Sequence, residues 1–239
     1  MNHTKMKIPS FLFTNFFIVG LCFILWPVAF FLNYLFPTPP IFISPQESSL
    51  ILKENILDTF NMGQERALSS FLWTQTMAQS DLEHYQKQDL NSWMFLRFSS
   101  ILTLDPQFYE CYTTAAQYLA IVKNDLTGAF EILKKAREKF PFDFWIFYFS
   151  GHFTYFEKKD SAESLVFFNQ AIKNAERLQF VIPSYISFFI AKVKSQEIGT
   201  EEAIFFLTHE YERVSKDKNI SLEIKEAYQK KIERYLKNK

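Results

Sequence analysis

From residue 47 almost to the end of the chain, apolar side chains recur at helical spacing. The pattern predicts helices over 47–60, 64–86, 90–104, 107–122, 126–139, 142–157, 161–177, 183–196, 200–215 and 220–237. The stretch ahead of them is built differently. Residues 9–46 carry no charged side chain, and the 26 residues from Phe11 to Phe36 are almost wholly apolar. A bilayer core needs about 20 helical residues, so this run is long enough to span one. Pro27 inside it is tolerated in a membrane helix as a kink. Trp26, Tyr34 and Phe36 lie where an interfacial aromatic belt forms. The run is too long for the apolar core of a cleaved signal peptide, and Phe36-Pro37-Thr38-Pro39-Pro40 follows it where a small-residue cleavage site would be needed.

The expected organisation is a short basic tail (1–8), a transmembrane helix (9–36) and a proline-rich spacer (37–46). Lead-in helices or a degenerate half-repeat (47–89) follow, then helical repeats (90–215) and a C-terminal capping helix (216–239). Lys5 and Lys7 precede the apolar run, and the next basic residue is Lys53. That asymmetry places the N-terminus in the cytoplasm and the repeats outside it, in the periplasm if the membrane is a bacterial inner membrane. Pro37, Pro39, Pro40 and Pro45 make the spacer stiff and extended.

Within the repeat region one phrase recurs. Superposing residues 125–141 on 160–173 puts Ala129 on Ser164, Leu133 on Phe168 and Ala136 on Ala171, an offset of 35. Stepping back by 35 reaches Met94, Phe98 and Ile101, and Pro106 falls on Pro141. A looser copy follows at Ala203 and Leu207 after a spacing of 39. Small residues let two helices approach, the large residue fills the space between them, and the proline ends one unit and starts the next. This period and residue order resemble the tetratricopeptide repeat over about residues 67–214. Gly151 matches the family's glycine in the first helix of a unit. The resemblance implies an all-α fold, a right-handed α-solenoid of helical hairpins behind the transmembrane helix. A non-repeating helical bundle is the competing fold. The segment Gly63 to Trp73 reads either as a half-repeat pairing with 90–104 or as a docking surface.

In this family the first helix of each unit lines the concave face. Periodicity then brings Thr114, Tyr118 and Ile121 to that face, followed by Trp145, Tyr148, His152 and Tyr155, and then Tyr185, Phe188 and Lys192. Tyrosine and tryptophan bury much area at low entropic cost and keep a hydrogen bond to offer, so such a row suits a partner protein or peptide. The same row also reads as plain core, because Phe142 to Phe156 is apolar on every side. Some family members hold acidic chaperone tails in a clamp of lysine, asparagine and arginine; here Trp145, Tyr148, His152 and Tyr185 stand at those positions.

Composition narrows the function further. The chain has a net charge of zero, which gives no electrostatic footprint for a nucleic acid. Five glycines and 29 phenylalanines among 239 residues suit helices better than barrels or sandwiches. His3, His84, His152 and His209 form no pair at metal-ligand spacing, and Asp81, Glu83 and His84 read as a solvated helix face. No phosphate-binding loop and no Gly-x-Ser-x-Gly is present. Cys22 in the apolar run and Cys111 far downstream are not expected to pair. The expectation is a non-enzymatic, cofactor-free, membrane-anchored scaffold or adaptor that binds a partner protein. The alternatives are a structural subunit of a membrane complex and, further off, an accessory domain of an enzyme.

Overall fold

The computed structural model describes residues 25–28, 31, 63–80, 84–87 and 89–237. The chain divides into two units, Met1–Ser44 and Pro45–Lys239. In the first, Leu25–Val28 and Phe31 are helical and exposed. The rest of the expected 9–36 span, the spacer, the expected helix at 47–60 and Cys22 lie outside the described residues. Among the described residues no helix is long and apolar enough to cross a membrane.

The second unit is all-α, with no strand among its described residues. Its helices are α1 (Glu65–Ala78), α2 (Trp93–Leu104), α3 (Tyr109–Gln117), α4 (Leu126–Lys139), α5 (Phe144–Phe153), α6 (Ser161–Arg177), α7 (Ser184–Glu197), α8 (Thr200–Lys216) and α9 (Leu222–Lys237). They pack chiefly on their neighbours in the chain, most extensively as the pairs α1–α2, α3–α4, α5–α6, α7–α8 and α8–α9. Local chemistry starts several of them. The side chains of Ser92, Asp125, Asp143 and Asp160 accept the amides of Phe95, Gly128, Ile146 and Glu163 at 3.2, 2.9, 2.8 and 2.8 Å. Each such cap is worth about 1 kcal/mol.

The recurring phrase is the core. Met94, Phe98, Ile101, Ala129, Leu133, Ala136, Ser164, Phe168, Ala171, Ala203 and Leu207 are all buried, at 1 % exposure or less. Each large apolar side chain among them contributes about 1.5–3 kcal/mol on burial. Two apolar clusters form, one around α2–α4 and one around α6–α8, and α5 contributes to both: Ile146 and Phe153 to the first, Phe144 and Tyr148 to the second. Cys111 is a buried free thiol in the first cluster.

The structure differs from the sequence-based helices in three places. The expected helix over 64–86 stops at Ala78, and 84–86 are irregular. Tertiary bonds hold this stretch: Tyr85 donates its amide to the Lys123 carbonyl at 2.7 Å, and the Tyr118 hydroxyl donates to Ser80 at 2.6 Å. The helices expected over 107–122 and 142–157 end in π turns, Tyr118–Val122 and Thr154–Lys158. Asn124 and Lys159 then turn the chain left-handed, both at φ 55°, and deliver Asp125 and Asp160 to their capping positions. Finally, the helix expected from 220 starts at Leu222, and of its apolar residues only Tyr228 is buried, while Leu222 and Ile224 are exposed.

Candidate functional site

The aromatic helix α5 is capped by Asp143, whose carboxylate also accepts the Tyr109 hydroxyl at 3.1 Å. Its close approach to α6 depends on Gly151. A Cβ there would lie 2.6 Å from the Phe168 ring and 3.0 Å from the Ser164 carbonyl oxygen.

The structure gathers Trp145, Tyr148, His152 and Tyr155 on one aromatic surface but opens them to solvent unequally. Tyr148 is buried, stacked on Phe144 at 6.0 Å and in contact with Trp145 and Phe168, both at 6.1 Å. Burial pushes its hydroxyl up to about 12. His152 is half-buried, with ring centroids of Phe156, Phe189 and Tyr148 at 4.6, 5.7 and 5.8 Å. Its Nδ1 is buried without a hydrogen-bond partner, and desolvation lowers the imidazole below its ordinary range. Tyr155 donates to Gln196 Oε1 on α7 at 2.9 Å and meets Phe189 edge-on at 5.3 Å. Trp145 is half-buried, stacked on Phe149 at 6.0 Å.

The remaining expected residues lie elsewhere. Thr114 and Tyr118 are half-buried on α3 and the start of its π turn, while Ile121 is exposed. Phe188 is half-buried and meets Tyr228 of α9 at 4.9 Å. Tyr185, 66 % exposed, and Lys192, also exposed, are the open members of the row on α7. Phe189 was missing from the row and is its hub, since it touches both His152 and Tyr155. Its position four residues after Tyr185 and three before Lys192 places it on the same helical face.

Two grooves lie on the other helices of the hairpins, and none of the expected row residues lines either one. Between α4 and α6, a groove of about 390 Å³ contains Arg137, Glu163 and Phe167. Between α6 and α8, one of about 340 Å³ contains Lys194, Glu202 and Phe206. The two sets are alike in composition, although their cations come from non-equivalent helices, Arg137 from α4 and Lys194 from α7. Arg137 lies 4.6 Å over the Phe167 ring and Lys194 5.7 Å over the Phe206 ring. Burial lowers the pKa of both cations, which the negative charges of Glu163 and Glu202 oppose. Each cation also has a polar anchor: Arg137 donates to Ser150 at 2.7 Å, and Lys194 to Asn169 at 2.9 Å. The repeat carries a signal for the glutamate and phenylalanine alone, since Glu163 and Phe167 map onto Glu202 and Phe206 at the 39-residue offset already seen for Ala203.

Among the described residues no group of three or more His, Cys, Asp or Glu side chains could hold a metal ion. No protein-family model matches the chain, and neither the curated proteins nor the solved structures include a match to it.

Proposed function

We propose that the chain is a membrane-anchored scaffold: a right-handed α-solenoid of tetratricopeptide type, tethered by the apolar 9–36 segment, that collects a partner protein on its aromatic face. The observation that carries this reading is the burial of the recurring phrase at equivalent positions of α4, α6 and α8. A repeat whose spacing and packing coincide is the mark of hairpins stacked in series. The uninterrupted apolar length of Phe11 to Phe36 supports the tether. A tether at a membrane raises the effective concentration of the scaffold for a partner held there. The lack of clustered titratable groups on the aromatic face leaves acid–base and metal chemistry without residues to carry it, so the scaffold is read as non-enzymatic.

The contact surface is narrowed to the open part of the row. Tyr185 and Lys192 are exposed on α7, and Trp145 is half-buried against the same apolar cluster that α7 joins. Tyr148 is inside the core. The test is an in-cell crosslinking pull-down comparing the intact chain with a Tyr185→Ala/Lys192→Ala variant of equal helical circular dichroism. Loss of specific partners from the folded variant supports the scaffold. Unchanged partners move the contact off this face.

A specific observation favours a second reading, the structural subunit of a larger complex. Val166 of α6 and Phe205 of α8 occupy equivalent positions and are 65 % and 72 % exposed. Apolar side chains repeated on an outer face are what a permanent neighbour would cover. Solution behaviour of the domain from residue 47 onward separates the two: a soluble monomer fits the scaffold, and association through this face fits the subunit.

A further inference from the structure

The last helix, α9, is seated differently from every helix before it in the repeats. From α2 to α8, each helix contributes at least four buried residues, whereas α9 contributes Tyr228 alone. It packs mainly on α8 and touches α7 lightly, with no later helix among the described residues to cover its outer side. Ile232 and Tyr235 pack half-buried against the second apolar cluster, Lys225 donates to the Ser215 and Asp217 carbonyls at 3.1 and 3.0 Å, and Gln229 donates to the Tyr211 hydroxyl at 2.7 Å.

The seat beneath Tyr228 is polar as well as aromatic. The ring lies 4.9 Å from Phe188, Tyr228 Oη faces Ser187 Oγ without ordinary hydrogen-bond geometry, and Glu210 Oε2 is buried without a partner. Glu210 is fully buried and is held through its other oxygen by Arg213 at 2.8 Å. Buried polar groups left in this way cost free energy that opening would recover. The seat of α6 is different: Phe168, Ala171 and Ala175 are all fully buried there.

What α9 covers is a member of the aromatic row. Phe188 follows Tyr185 by three residues on α7, and it is shielded by Tyr228 and by Lys231, whose Nζ lies 5.9 Å over its ring. We infer that α9 is a reversible cover, which swings off α7 while the other helices stay folded and so controls access to Phe188 and the C-terminal end of the aromatic row. The significance of that access rests on the scaffold reading above; the opening itself does not.

The experiment uses the full chain in detergent with Ser187→Cys, a near-isosteric change directly under α9, and Cys111 as the internal control. Both sites are fully buried. Iodoacetamide labelling of the folded protein is located by peptide mass spectrometry. Opening of α9 alone predicts labelling of residue 187 at least about tenfold faster than Cys111, because a locally opening element exchanges below the global free energy. Adding Tyr228→Ala should speed labelling at 187 further and leave Cys111 protected. Equal protection of 187 and Cys111, or a Tyr228→Ala variant that exposes both together, would overturn the inference. Hydrogen exchange on the unsubstituted chain guards against a perturbed variant. Amides around Tyr228 should exchange well before those of mid-α8, and matched rates would again overturn it. Neither measurement involves a partner, so failure of the scaffold reading leaves both outcomes interpretable.

Discussion

The hairpins α3–α4 and α5–α6 are two castings of one 35-residue phrase, and they solve the same packing problem with different volumes. In the first, Ala116 on one helix and Leu133 on the other are fully buried at the equivalent positions. In the second, the pair is Gly151 and Phe168, with the ring so close that a Cβ on residue 151 would sit 2.6 Å from it. The larger side chain on the second helix is accommodated by the loss of a methyl from the first. Interiors are close-packed, so a repeat conserves filled space rather than residue identity. This is also why the two copies agree in spacing more closely than in residue identity.

Breaking the second hairpin at its large member should have the greatest effect. Phe168→Ala removes a fully buried ring and is expected to cost about 3–5 kcal/mol in urea unfolding. Gly151→Ala should come next, at about 1–3 kcal/mol from overpacking. The sharper experiment joins the two. Gly151→Ala with Phe168→Leu converts the second hairpin to the composition of the first. The double variant should be more stable than the sum of its single changes predicts, by about 1 kcal/mol of coupling. Additive single effects would mean the two residues do not compensate each other.

A smaller difference between the hairpins is His152, whose counterpart on α3 is Gln117. Burial lowers its imidazole pKa below the ordinary 6.5. As pH falls through that value the unfolded chain binds a proton that the folded chain refuses, so this stability is whole above 6.5 and declines below it. Glu210 acts with the opposite sign, because burial raises its carboxyl pKa and favours the folded, protonated form. His152→Phe keeps the ring and removes the first contribution. Its urea midpoint should therefore fall less than that of the unsubstituted chain between about pH 7.5 and about pH 5.5.

The smallest effect is at the turns. Asn124 and Lys159 hold the same left-handed conformation at equivalent positions. Asparagine adopts it with less strain than lysine, so Lys159→Asn should stabilise by about 0.5–1 kcal/mol and Asn124→Lys should destabilise by a similar amount. Thermal unfolding of the two variants checks both signs.

The helices were legible where their cause is local. Ser92, Asp125, Asp143 and Asp160 cap the helices they precede. The recurring small, large and small residues also identify the buried face of α4 and α6. The end of α1 was not legible, because it is fixed by Tyr85 and Ser80 bonding to groups that follow residue 117 in the chain. Nor was the exposure of the aromatic row. Residues 142–156 are apolar on every side, so periodicity assigns faces but cannot say that Tyr148 is covered while Tyr185, on another helix, is open. The paired cation–phenylalanine grooves draw Arg137, Ser150 and Phe167 from three different helices, an arrangement that spacing along one helix does not reveal.

The most direct test of the scaffold account compares the two faces in the cell. A photo-crosslinking amino acid is placed at Tyr185 on the aromatic face or at Phe205 on the outer face, both largely exposed. The account predicts a discrete adduct with a partner protein from position 185, lost when Lys192 is replaced by glutamate. Adducts from position 205 alone would contradict it and give the outer face to a permanent neighbour.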